Sequence, residues 1–279
     1  MRLVHNSNST MHLPALAQIE VARSTGWGGV FLRAEHLRRY VEVGLDLADV
    51  RTALDGLEPV NLGALADVER WRPDERKAML DEAAELTELA LAIGATNVQV
   101  LTGPVDPTSG YSGPNELSLV ELQRVTADAL RAVADIGAST GIRYYLEPIA
   151  WTPLGTLDAA VDAIDATGRD NVGLVLDFWH LWQRGTTPDD LARLDPTVIA
   201  GIDFSDSLAP QGECGPDQRT RRVWPGDGSI PLREWVAAIR STRFDGWWDN
   251  ELYSPLHWEL EPHEVASGLL RVLRETLRG

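Results

Sequence analysis

Three apolar runs in the second half of the chain each end on an acid: Tyr144-Tyr145-Leu146-Glu147, Val172-Gly173-Leu174-Val175-Leu176-Asp177 and Val198-Ile199-Ala200-Gly201-Ile202-Asp203. A fourth, Gly246-Trp247-Trp248-Asp249-Asn250-Glu251, closes the series. Continuous β-branched and aromatic runs of this length, separated by helix-length segments, read as strands of a parallel sheet buried on both faces. Strands that carry an acid at the same end bring Glu147, Asp177, Asp203 and Glu251 to one place. That much negative charge in a partly dry pocket is unfavourable without a cation, so the pattern asks for a divalent metal at the mouth of a barrel.

The remaining segments supply the rest of that barrel. A first strand and its loop fit residues 3–10, followed by a helix at 13–25 that Gly26 ends. Strand two is 29–33, a helical stretch at 35–53 breaks near Gly44, and strand three is 59–62. From Pro73 to Ile93 the apolar residues Met79, Ala83, Leu86, Ala90 and Ile93 recur at steps of three and four, the stripe of an amphipathic helix. Strand four is 97–101, and the Gly/Pro/Ser-rich loop 103–114 after it is a candidate substrate loop. Helices are expected at 115–136, 157–166, 188–194, 232–241 and 262–277, with an irregular segment at 206–227 and strand eight ending at Glu251. Eight strand–helix pairs without a break in composition predict a single-domain (β/α)8 barrel over residues 1–279, with its site at the carboxyl ends of the strands.

Charge and composition narrow the function. With 25 Lys plus Arg against 42 Asp plus Glu, the net charge of −17 repels phosphate backbones and argues against nucleic acid as a partner. The lone cysteine, Cys214, excludes an internal disulfide and a cysteine-rich zinc cluster. The lone lysine, Lys77, sits in a charged helix start, the wrong place for Schiff-base chemistry. No apolar window approaches a membrane span and the amino terminus lacks signal-peptide features, so a cytoplasmic location is expected; a homo-oligomer is left open.

Four oxygen donors suit a hard divalent ion. His180, three residues after Asp177, is expected on the loop above that ion, as a hydrogen-bond donor to substrate or as a ligand. Trp151, Trp179, Trp182 and Trp224 are expected on loops near the site, where ring faces could pack on the C–H face of a sugar or cyclitol. His5, near the end of the first strand, is a further candidate for the site.

The motifs Leu146-Glu147-Pro148, Asn171 to His180, Pro225-Gly226-Asp227-Gly228 and Glu251-Leu252-Tyr253-Ser254-Pro255 resemble the sugar phosphate isomerase/epimerase family. These are xylose-isomerase-like barrels related to ketose 3-epimerases, inosose isomerases and dehydratases, and hydroxypyruvate isomerases. The likeness is specific over residues 140–255; before that it is one of strand–helix rhythm. It implies that Glu147, Asp177 and Glu251 are metal ligands, that Glu147 and Glu251 are also the paired acid/base carboxylates, and that His180 and Arg222 contact substrate. Relatives usually carry histidine where this chain has Asp203, which would make the site harder and favour Mn²⁺ or Mg²⁺ over Zn²⁺. The expected activity is isomerisation or epimerisation of a sugar, keto-sugar or cyclitol through an enediolate. A dehydratase or a catalytically silent polyol-binding barrel are the alternatives, and the acidic charge disfavours the related DNA-repair endonucleases.

Overall fold

Each apolar run that ends in an acid becomes a strand, and the helical segments between them cover the outside. The computed structural model describes residues 1–210, 212–216 and 219–279; Gln211, Asp217 and Gln218, within the expected irregular segment, lie outside the described residues. In chain order the elements are β1 (Arg2–Asn6), α1 (Ala15–Thr25), β2 (Gly29–Arg33), α2 (Ala34–Glu42), α3 (Leu47–Ala53), β3 (Glu58–Leu65), α4 (Pro73–Ile93), β4 (Asn97–Leu101) and α5 (Leu119–Gly137). There follow β5 (Arg143–Glu147), α6 (Leu157–Asp165), β6 (Val172–Asp177), α7 (Phe178–Gln183), α8 (Pro188–Ala192), β7 (Ile199–Asp203), α9 (Leu232–Ser241), β8 (Trp247–Asp249) and α10 (Pro262–Arg278). The eight strands pair in sequence order, and β8 returns to β1 in parallel to close the barrel.

Side chains alternate across the strands, apart from the bulges at which the register skips Val60 in β3 and Ala200 in β7, and so build two cores. Val4, Phe31, Val60, Tyr145, Val175, Ala200 and Trp247 fill the barrel interior, whereas their neighbours Leu32, Leu62, Leu146, Leu176, Ile202 and Trp248 pack outward against the helices. Gly201 is what admits the largest interior side chain: a Cβ there would lie 2.0 Å from the Trp247 ring.

Local signals set most boundaries where the sequence places them. Pro73 opens α4, Gly94 in the left-handed region closes it, and Gly44, at φ 83°, separates α2 from α3. Three segments differ from expectation. The Ser118–Glu121 capping box starts α5 at Leu119, after a separate 3-10 turn. The residues after Asp177 form α7 rather than a loop, because the Asp177 carboxylate caps it by accepting from His180 N at 3.1 Å. Finally, β8 stops at Asp249, which leaves Glu251 on the loop that follows.

Candidate metal centre and substrate cavity

The period of two decides which residues reach the barrel mouth. Tyr145, Val175 and Trp247 are interior and Gly201 faces the Trp247 ring, so Glu147, Asp177, Asp203 and Asp249, two residues on, face the axis at the carboxyl end. Register agrees, since Asp177 pairs with Asp203 and Asp203 with Asp249. Glu251 reaches the same space from the loop after β8. Ligand oxygens of Glu147, Asp177, Asp203 and Glu251 all lie within 4.8 Å of one another, and all four residues are buried. Asp249 is a fifth buried acid beside them; the fourth run ends on Glu251 and does not single it out, but the alternation Trp247 in, Trp248 out, Asp249 in marks it.

Amides and an arginine hold these acids. Gln99 Nε2 donates to Glu147 Oε2 at 2.5 Å, Asn8 Nδ2 to Glu251 Oε1 at 2.6 Å and Asn6 Nδ2 to Asp249 Oδ2 at 2.9 Å. Gly63 makes room for the first of these, for a Cβ there would sit 2.3 Å from Gln99 Oε1. Arg221 Nη2 lies 2.5 Å from Asp177 Oδ2 and donates also to Glu251 Oε2. The loop that carries Arg221 is pinned by Asp206, whose carboxylate accepts from the backbone N–H groups of Gly226, Gly228 and Ile230.

Burial and crowding separate the acids electrostatically. Burial, then the neighbouring Asp177 charge, pushes the Glu147 carboxyl up to about 8. Burial, with the surrounding acids adding to it, also holds Asp203 and Asp249 well above the usual carboxylate range. At Asp177 burial acts in the same upward direction, but Arg221 and His180 outweigh it and keep the group below its ordinary value. Burial lowers His180 to about 3, so its ring is neutral. Its Nδ1 accepts from Ala150 N at 3.0 Å, which places the proton on Nε2, 3.3 Å from Glu147 Oε1. His180 therefore presents a fixed N–H to the site.

The donor set fits a hard divalent cation. Four buried carboxylates converge, and Asp203 Oδ1 has no hydrogen-bond partner among the described residues although it is fully buried. Beside this cluster a cavity of about 260 Å³ opens, lined by Asn8, Phe31, Arg33, Gln99, Trp151 and Tyr253 together with Glu147, His180, Arg221 and Glu251.

The other expected residues fall into three groups. Trp151 lines the cavity, its Nε1 donating to Val105 O at 3.1 Å, while Trp179 is buried behind it, 6.3 Å between ring centroids, and touches Arg221. His5 is corrected to a place outside the site: it follows the interior Val4, so it points outward, where it is buried against Trp27 and bonds Thr10 and Gln18. Arg222 is exposed, and its neighbour Arg221 enters the site instead. Trp182 and Trp224 also pack away from the cavity, on Trp235 and His257. No signal in the sequence separates Arg221 from Arg222, because the segment around them has no period.

A closed parallel barrel with acids converging at the carboxyl ends of β5 to β8 and a polar cavity beside them defines a (β/α)8 protein with a candidate cation site built of carboxylates. The chain belongs to the xylose isomerase-like TIM barrel family, whose model matches residues 19–276. It is 24% identical over 271 residues to an inosose isomerase of Halalkalibacterium halodurans, covering 95% of this chain and 92% of that protein. Its fold is that of a solved IOLI protein with a binding zinc atom, at a TM-score of 0.88 and 21% identity over 99% of this chain and 98% of the other. D-psicose 3-epimerase from Clostridium cellulolyticum H10, solved with D-tagatose, shares it at a TM-score of 0.77 and 15% identity, over 99% of both chains. Among the described residues no helix is long and apolar enough to cross a membrane.

Proposed function

We propose that this protein is a divalent-metal-dependent isomerase or epimerase of a sugar, keto-sugar or cyclitol. The observation that carries the proposal is that Glu147 and Glu251 belong to one cation-binding cluster and line one small polar cavity. The kinship with an inosose isomerase and the shared fold with a ketose epimerase point the same way. Glu147, Asp177, Asp203 and Glu251 would hold the ion, and an all-oxygen donor set favours Mn²⁺ or Mg²⁺. When bound, such an ion polarises a substrate carbonyl and stabilises negative charge on its oxygen.

The chain's own groups handle the protons. Of Glu147 and Glu251, one removes the C–H proton from the hydroxyl-bearing carbon next to the carbonyl of an α-hydroxy ketone, and the other returns a proton from the opposite face or to the former carbonyl carbon. Return to the same carbon is epimerisation, and return to the neighbouring carbon is isomerisation. His180 Nε2–H donates to a substrate oxygen that turns negative, Gln99 and Asn8 fix the two carboxylates, and Trp151 and Tyr253 present ring faces to the C–H face of the ring.

Deuterium uptake from solvent into ketoses and inososes tests the reading. Glu147→Gln and Glu251→Gln should each abolish exchange while the barrel stays folded by circular dichroism; exchange retained in both variants would sink it. A conjugated product absorbing in the ultraviolet would instead mark a dehydratase.

A further inference from the structure

The cation that the carboxylates hold is one the chain supplies itself. Arg221 is 3% exposed, and its Nη2 sits between Asp177 Oδ2 and Glu251 Oε2, two of the four donors of the cluster. The guanidinium is flanked by rings, 5.5 Å from the centroid of Trp179 and 5.8 Å from that of Tyr253, an arrangement that favours a buried cation. A hydrogen-bonded nitrogen and a metal ion cannot share the space between those two oxygens, both on steric grounds and because two cations there would repel. On its other side Arg221 borders the cavity, which has room for a displaced side chain.

We infer that Arg221 and the divalent ion are alternative occupants of the carboxylate cluster. The guanidinium neutralises the acids in the metal-free protein, and metal loading expels it from between Asp177 and Glu251 toward the substrate cavity. Arg221 thereby lowers the metal affinity of the site and keeps the metal-free barrel from carrying unpaired buried charge. The inference rests on the proposed metal site, and the two stand or fall separately in a binding measurement.

Titration of the metal-stripped protein with Mn²⁺ by calorimetry, without substrate, provides that measurement, alongside melting curves with and without Mn²⁺. Arg221→Met should bind Mn²⁺ at least about 10-fold tighter than wild type, melt at a lower temperature when metal-free, and gain more from Mn²⁺ than wild type does. Equal or weaker binding by the variant, with wild type binding Mn²⁺ normally, overturns the competition and leaves the metal site standing. Failure of both proteins to bind Mn²⁺ or any other divalent ion overturns both. If Arg221→Met does not fold even with Mn²⁺ present, Arg221→Gln decides: it keeps N–H donors but no charge, so tighter Mn²⁺ binding than wild type supports the competition and unchanged or weaker binding refutes it.

Discussion

The two halves of the barrel mouth are built from different chemistry. The carboxyl ends of β5 to β8 and the loop after β8 carry five buried acids, Glu147, Asp177, Asp203, Asp249 and Glu251. The ends of β1 to β4 and their loops carry amides, one half-buried arginine and a wide apolar wall: Asn6, Asn8, Phe31, Arg33, Gln99 and Leu101. The acid half gathers the carboxylates and brings Trp151, His180 and Tyr253 to the cavity wall. The amide half forms most of the cavity, and the charges it brings there, Arg33 and Glu35, pair with each other. They meet where Gln99 bonds Glu147 and Asn8 bonds Glu251. Arg33 Nη1 extends that link by donating to Asn8 Oδ1 at 2.7 Å. Fixing the acid half by amides of the other half orients the carboxylates without adding charge, which is the role outer partners play around metal ligands.

Substitutions in the acid half should therefore be the more damaging, and should differ among themselves. Asp203→Ala removes a proposed ligand and should weaken Mn²⁺ binding by about 100-fold or more, beyond the range of outer-partner changes. Asp249→Asn, which keeps the contact to Asn6, should cost about 10-fold, as the loss of an outer partner does. Calorimetric titration of both variants sorts the two acids; equal losses would mean that Asp249 also ligates and that the assignment of four donors is wrong.

On the amide half, Gln99→Ala and Asn8→Ala should leave Mn²⁺ binding within about 10-fold of wild type. Turnover should fall by about 10- to 100-fold, because the acid/base carboxylates lose their orientation. Trp151→Ala should act chiefly on KM, by about 10-fold, since it removes apolar contact made equally in ground and transition states. Were Gln99→Ala to lose metal as thoroughly as Asp203→Ala, the division of labour between the halves would collapse.

The same division governs what could be read from the sequence. The acid half announces itself, because an acid at the end of a continuous apolar run breaks the pattern of a strand buried on both faces. Glu147, Asp177 and Asp203 were visible in this way, as was the barrel itself from the strand–helix rhythm. The amide half does not stand out: Asn8 and Gln99 are ordinary residues near strand ends, and their importance depends on which acids lie across the barrel. His5 and Asp249 are placed by parity alone: counted from the interior Val4 and Trp247, His5 points outward and Asp249 inward. Arg221 is a different case, placed by Asp206 reaching across to hold Gly226, Gly228 and Ile230, a tertiary contact that no local pattern encodes.

One acid of the amide half is buried and, among the described residues, forms no ion pair. Glu69, fully buried in the loop after β3, accepts from Gly103 N at 2.8 Å, and burial pushes its carboxyl up to about 8 from an ordinary 4.5. Between those two values the folded protein keeps a proton that the unfolded chain has released, so stability falls as pH rises through that window. The slope is about 1.4 kcal/mol per pH unit, the value of one proton. Glu69→Gln retains a carbonyl oxygen for Gly103 and replaces the acidic O–H by an amide, so its stability lacks this slope. Denaturant unfolding of the metal-free proteins at pH 5, 6, 7 and 8 should show the variant gaining steadily on wild type by that increment, with the gap levelling off above pH 8. A gap that stays constant with pH would mean that Glu69 is ionised in the fold. The amide half would then hold a buried charge after all, and the contrast between the halves would be one of degree.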